Sequence, residues 1–251
     1  MKPVVIYHGG CWDGFCAAWV AKKALGDIEA IPAQYGRPAP DVHGRDVYIL
    51  DFSYKRPEMR RILSQARKVV VLDHHKTAEA DLAGIVDEFI QRPDLIPSDL
   101  VSNPNGSELP LVWFDMTKSG GRLAWEFFNR SPDLFNPADM TMSRAPWLVD
   151  YTEDRDLWRH ALDGTQEINA ALRSYPLDFD LWDRFAEKDP RSTFYYEGAA
   201  IRRAERQIID NHLCHAREIE MGGHRILAVN ATVLFSEIAG ELAKGRSFRR
   251  N

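Results

Sequence analysis

The stretch KVVVLDHHKTA, residues 68–78, places Val69, Val70, Val71 and Leu72 directly before Asp73, two histidines and a lysine. Valine is stiff and β-branched and fits a pleated surface. A run with no polar alternation predicts a strand buried on both faces, as in a parallel sheet covered by helices. Such a strand delivers Asp73, His74 and His75 to a fixed point at its carboxyl end.

Two further segments have the same character. PVVIYH (3–8) and DVYILDF (46–52) are short apolar runs that end in polar residues. Helical segments lie between them. GFCAAWVAKKAL (14–25) stops at Gly26, and KRPEMRRILSQA (55–66) carries the stripe Ile62, Leu63, Ala66. The alternation predicts an α/β fold with a mostly parallel sheet flanked by helices. Ligands of such sheets lie outside the carboxyl ends of the strands. Three strand ends carry groups of one kind: His8 to Asp13, Asp51, and Asp73 to His75.

Beyond this core, residues 91–108 hold three prolines and an Asn-Gly and read as a loop or insertion. Residues 109–115 read as a strand. Ser119, Gly120 and Gly121 open a helix over 122–130. Their small side chains leave backbone N–H groups able to meet an anion such as a substrate phosphate, although the same residues also cap helices that bind nothing. Residues 145–186 read as mostly helical, 194–216 as a long amphipathic helix, 224–231 as a strand and 234–245 as a helix. The expected domains are 1–190 and, with the long helix and a smaller α/β unit, 191–251.

Composition sets bounds on function. The 251 residues are 45% hydrophobic and 27% charged, the profile of an ordinary globular protein. The formal charge of −5 argues against a duplex-DNA binder, which needs a strongly basic face. Residues 191–251 carry 10 Lys/Arg against 7 Asp/Glu, so the excess of acid lies in the first 190. No apolar run is long enough for a membrane span and the start shows no leader pattern, so a cytoplasmic protein is expected. Cys11, Cys16 and Cys214 form no C-x-x-C pair and read as reduced thiols.

An Asp at a strand end often serves only as a turn former, and a His beside an Asp can be a satisfied core residue. Taken together, however, His8, Asp13, Asp51, His74 and one further acid form a set of carboxylate and imidazole donors that suits Mn²⁺ or Mg²⁺. An aspartate between two such ions supports in-line displacement at phosphorus.

Four motifs carry a family resemblance. HGGCWDGFCAAW (8–19), YILDFSY (48–54), VVVLDHHKTA (69–78) and VDYTEDRDLW (149–158) resemble, in order, the motifs of the DHH phosphoesterases. That family includes RecJ-type exonucleases, nano-RNase oligoribonucleases, cyclic-dinucleotide phosphodiesterases and, more distantly, family II pyrophosphatases. The similarity runs over roughly residues 1–160 and is nearest to the oligoribonuclease-like, exopolyphosphatase-related branch. It implies a hydrolase using two Mn²⁺ ions, with Mg²⁺ or Co²⁺ as alternatives, on a short oligonucleotide or dinucleotide. His8, Asp13, Asp51 and His74 would be metal ligands, with Asp51 bridging. His75 would contact the phosphate and Asp73 would orient its neighbours. Asp154 would complete the set, with Asp150 next and Asp156 close enough in sequence to compete. Gly120 and Gly121 are the further candidates for holding substrate, and Arg225, Lys244, Arg246, Arg249 and Arg250 are available for phosphates.

Two departures stand against the pattern. Cys11 occupies a place where much of the family has a second aspartate; it reads either as a small residue packed near Trp12 and Phe15 or as an unusual ligand. The accessory DHHA1-type domain reads as abbreviated, without the family's glycine-rich C-terminal stretch, and Gly222-Gly223-His224 reads as a turn. A second subunit would then be one source of the missing part, in a homodimer. The competing functions are a polyphosphatase or pyrophosphatase and a non-catalytic nucleotide-binding module.

Overall fold

The computed structural model describes residues 1–91, 110–129 and 144–244. Its first elements are β1 (Val4–His8), α1 (Trp12–Leu25), β2 (Glu29–Ala33), β3 (Asp46–Leu50), α2 (Arg56–Gln65) and β4 (Lys68–Asp73). They continue with α3 (Lys76–Leu82), α4 (Ile85–Gln91), β5 (Leu111–Phe114), α5 (Gly120–Phe128) and α6 (Trp147–Asp156). Then come α7 (Thr165–Arg173), α8 (Phe179–Ala186), a π-helical turn (Arg191–Tyr195), α9 (Tyr196–Leu213), β6 (Arg217–Met221), β7 (His224–Ala228) and α10 (Phe235–Ala243). The 91–108 loop expectation falls, after Gln91, outside the described residues.

Five strands form one parallel sheet in the order β2-β1-β3-β4-β5. The α/β architecture read from the sequence is therefore the one observed. Alternate residues of the central strands serve opposite faces. Val4, Ile6, Val47, Ile49, Val69 and Val71 share a core with Met59, Ile62 and Leu63 of α2. Val5, Tyr7, Tyr48, Leu50, Val70 and Leu72 are buried too, which is why these strands show no polar alternation. Burying each of the aliphatic side chains contributes about 1.5–3 kcal/mol.

β2 has no counterpart in the sequence reading. Its sequence EAIPA is short, largely exposed or half-buried, and contains Pro32, which suits an edge strand, and β2 is an edge. β1 connects to β2 on one side while β3 and β4 extend on the other, so the order reverses between β1 and β3. Doubly wound sheets bind ligands in the crevice at that switch point.

The chain forms two compact units, Met1–Thr165 with Pro176–Asp189, and Gln166–Tyr175 with Pro190–Asn251. Residues 166–175 thus join the second unit rather than the first. The reason is a close helix crossing: a Cβ on Gly198 of α9 would stand 1.7 Å from the carbonyl oxygen of Glu167. Arg173 adds an ion pair to Glu205 at 3.1 Å. In this unit β6 and β7 form an antiparallel hairpin. Gly222 and Gly223 turn it, with φ of 61° and 79°, the left-handed conformation that a two-residue hairpin loop requires. β6, REIEM, is exposed along its whole length and was not read from the sequence, since no face of it alternates toward a core. No helix among the described residues is long and apolar enough to cross a membrane.

Candidate metal centre

The polar strand ends meet at the β1/β3 crevice. His8 closes β1, Asp13 lies in the first turn of α1, Asp51 follows β3, and His74 and His75 follow β4. Asp51 has φ 53°, in the left-handed region, while its N–H still donates to the carbonyl of Leu72 at 2.9 Å. Such a backbone is costly for a non-glycine residue and turns the carboxylate out of the strand direction.

Asp51 Oδ1 lies 3.0 Å from Nε2 of His74. The same nitrogen is 3.6 Å from Asp156 Oδ2 and 3.7 Å from Asp13 Oδ2. On the other side Asp51 Oδ2 stands 3.5 Å from His8 Nδ1, and both atoms are buried without a hydrogen-bond partner. Two trios of ligand atoms result, His8–Asp51–His75 and Asp13–Asp51–His74, the atoms of each within 4.8 Å of one another. Asp51 belongs to both.

Asp73 sits behind the pair of histidines, fully buried. Its Oδ1 accepts the N–H of His74 at 2.7 Å and pairs with His75 Nδ1 at 2.6 Å; its Oδ2 accepts the Ser53 hydroxyl at 2.6 Å. This fixes the ring of His75 and directs its Nε2 away from Asp73, the orienting role that carboxylates play behind ligating imidazoles.

The electrostatics reflect a crowd of acids around one imidazole. Burial, then the charges of Asp51 and Asp156, push the Asp13 carboxyl well above its ordinary range. Asp156 is raised by burial and by Asp51. Burial works against ionisation of Asp51 too, but the imidazoles of His74 and His8 outweigh it and hold the group at about 2. Burial opposes a charge on His74, yet the Asp51 bond with Asp13 and Asp156 lifts it to about 9. His75 is raised chiefly by its bond to Asp73. Two of three clustered carboxylates are therefore unfavourable in their charged form unless a cation joins them.

Three expectations need correction. Asp154 does not face the centre. Its carboxylate accepts N–H groups from Ala161 at 2.9 Å and Leu162 at 3.0 Å and the hydroxyl of Thr165, closing the turn after α6. Asp150, the next choice, pairs with Arg122. Asp156 is the acid that reaches His74. Asp156 shares a helix face with Val149 and Thr152, both buried, a placement that the motif alone does not reveal.

Gly120 and Gly121 do meet an anion, but it is the protein's own. Their N–H groups donate to Asp13 Oδ2 at 2.5 Å and Oδ1 at 2.9 Å, so they are not open to substrate. A Cβ at Gly120 would fall 2.4 Å from that of Asp51, which explains the glycine. The arginine and lysine candidates of the second unit are also engaged: Arg225 with Glu218 at 2.6 Å and Lys244 with Glu241 at 3.1 Å. Arg246, Arg249 and Arg250 lie outside the described residues. Cys11 belongs to neither trio; burial, with Asp51 and Asp13 nearby, pushes its thiol up, away from the thiolate form that binds metals.

Comparison with known proteins adds relatives without a stated activity. No family model matches the chain. The "Uncharacterized protein R106" of Acanthamoeba polyphaga mimivirus is 28% identical over 202 residues, which is 74% of this chain and 40% of that protein. The chain therefore spans about 40% of the length of that curated relative. The crystal structure of an uncharacterized protein from Helicobacter pylori G27 aligns over 98% of this chain and 80% of its own, with 12% identity and a TM-score of 0.42.

Proposed function

We propose that the chain is a phosphoesterase dependent on two divalent cations, cutting phosphodiester bonds of short oligonucleotides or dinucleotides, as the DHH resemblance implies. One observation carries the reading: Asp51 is shared by two ligand trios, and its Oδ2 and His8 Nδ1 are buried, 3.5 Å apart and without hydrogen-bond partners. Both trios offer only carboxylate oxygen and imidazole nitrogen, which fits Mn²⁺ first, with Mg²⁺ or Co²⁺ as alternatives.

The trio Asp13–Asp51–His74, with Asp156 beside it, would hold one ion, and His8 with Asp51, next to His75, the other. Bound there, the ions supply activation of a water and neutralisation of phosphoryl charge. Asp51 orients one oxygen to each position. In this reading His75 serves the substrate rather than the ion: Asp73 holds its Nδ1, its Nε2–H would donate to a phosphoryl oxygen, and its side chain is 36% exposed, where a substrate can meet it. Gly120 and Gly121 keep Asp13 rigid, which two-metal chemistry needs.

The test is turnover of the 5′-phosphorylated dinucleotide pApA by the purified chain, with Mn²⁺ and with chelator. Hydrolysis adds one water and yields two AMP. Metal-dependent release of AMP, lost in Asp51→Asn, is the expected result. An active Asp51→Asn with normal metal content overturns the bridging assignment. No turnover with metal bound directs attention to polyphosphate, and then to a binding role.

A further inference from the structure

Tyr35 stands beside the candidate centre rather than in it. It occupies the second position of the turn Gln34–Arg37, closed by the Arg37 N–H donating to the Gln34 carbonyl at 3.2 Å. Gly36 takes φ 79° at the third position, as a type II turn requires. The tyrosine ring packs on Phe52 with centroids 4.7 Å apart and planes tilted 37°. It meets His8 edge-on at 5.4 Å. Phe52 is itself buried and braced edge-on by Tyr54 at 4.9 Å. The ring of Tyr35 is thus fixed by a buried aromatic and by a proposed metal ligand, yet the residue remains 55% exposed.

Single exposed aromatics are common and most need no explanation. What sets Tyr35 apart is its support from below and its place. A phosphate held by an ion at His8 and Asp51 would carry its nucleoside one sugar away, and Tyr35 packs against the His8 side of that position. A rigid, half-open aromatic beside a phosphate site is the arrangement with which proteins hold a nucleobase by stacking, without reading its identity. Inorganic polyphosphate has nothing to place there.

We propose that Tyr35 is the stacking platform for the nucleobase next to the scissile phosphate, which makes the substrate class nucleotidic. This rests on the phosphoesterase reading above and adds to it a binding residue outside the metal chemistry. Because stacking needs only a π-face, base identity is expected to matter little, and phenylalanine and tryptophan are expected to replace tyrosine.

The experiment measures equilibrium binding of AMP and of ribose 5-phosphate to the full chain loaded with Mn²⁺. The two ligands share a phosphate and a sugar and differ in the base. Wild type is expected to prefer AMP by about 5- to 150-fold, the range for one stacked base. Tyr35→Leu should bring the ratio close to one, while Tyr35→Phe and Tyr35→Trp keep it. Ribose 5-phosphate binding by each variant reports an intact phosphate site. An AMP preference that survives in Tyr35→Leu overturns the platform and leaves the phosphoesterase reading standing. Failure of wild type to bind either ligand overturns both.

Discussion

Oδ2 of Asp51 and Nδ1 of His8 face each other across 3.5 Å, both buried and neither hydrogen-bonded. At that distance the contact is too long to satisfy either buried atom fully, and both point toward one place. A cation between them would meet both. Mn²⁺ should therefore stabilise the fold: at a concentration 100 times its Kd, the gain is about 2.7 kcal/mol, or roughly 5–10 °C in Tm. Thermal unfolding with Mn²⁺ and with chelator measures it. His8→Ala should lower the bound ions from two per chain to one, and an unchanged count would remove His8 from the ligand set.

Asp154 and Asp156 separate structure from function within one helical turn. Asp154→Ala leaves two backbone N–H groups and the Thr165 hydroxyl without their shared acceptor and should cost about 2–4 kcal/mol in urea unfolding of the metal-free chain. Asp156→Ala removes one of three clustered acids, so the metal-free chain should lose little stability or gain some. Its deficit should appear instead as weaker Mn²⁺ binding. Equal destabilisation by both substitutions would contradict this division.

What could be read from the sequence follows from how each residue is used. The runs PVVIYH, DVYILDF and KVVVLD were legible because central parallel strands are buried on both faces. The convergence of His8, Asp13, Asp51 and His74 was legible because a parallel sheet brings the polar residues at its strand ends together, while the roles the resemblance implies for them belong to the proposal. β2 and β6 were hidden, one by Pro32 and an exposed edge, the other by complete exposure. The choice of Asp154 over Asp156 turned on two side chains about 200° apart around one helix, which a motif in a string does not display. Gly120 and Gly121 were read as candidates for holding substrate, and sequence cannot say that the carboxylate they meet sits 107 residues earlier in the same chain.

The close approach of α5 to Asp51 makes Gly120 intolerant of any side chain. In Gly120→Ala the new methyl would lie 2.4 Å from the Asp51 Cβ, and the nearest atoms belong to Asp51 rather than to a flexible side-chain end. Relief requires α5 to shift, which also breaks the Gly120–Asp13 hydrogen bond. The expected cost is at least about 1–3 kcal/mol, together with loss of Mn²⁺ binding. Calorimetric titration of the variant checks it, and normal Mn²⁺ affinity would show that α5 does not set the position of Asp13.

Metal binding should release protons, and the sign follows from His74. Its folded pKa is raised to about 9, so in the metal-free chain its ion pairs with Asp51, Asp13 and Asp156 contribute stability fully below pH 6.5, the ordinary value. That contribution is lost as pH rises through about 9. A cation can use Nε2 only after that proton leaves. Mn²⁺ affinity should therefore climb as pH rises from 6.5 toward 9, and the metal-free fold should weaken over the same window. Titration at pH 7 in two buffers of different ionisation enthalpy counts the protons directly: at least about one per Mn²⁺ bound at the Asp13 side is expected. A heat independent of buffer would mean that His74 is not a ligand.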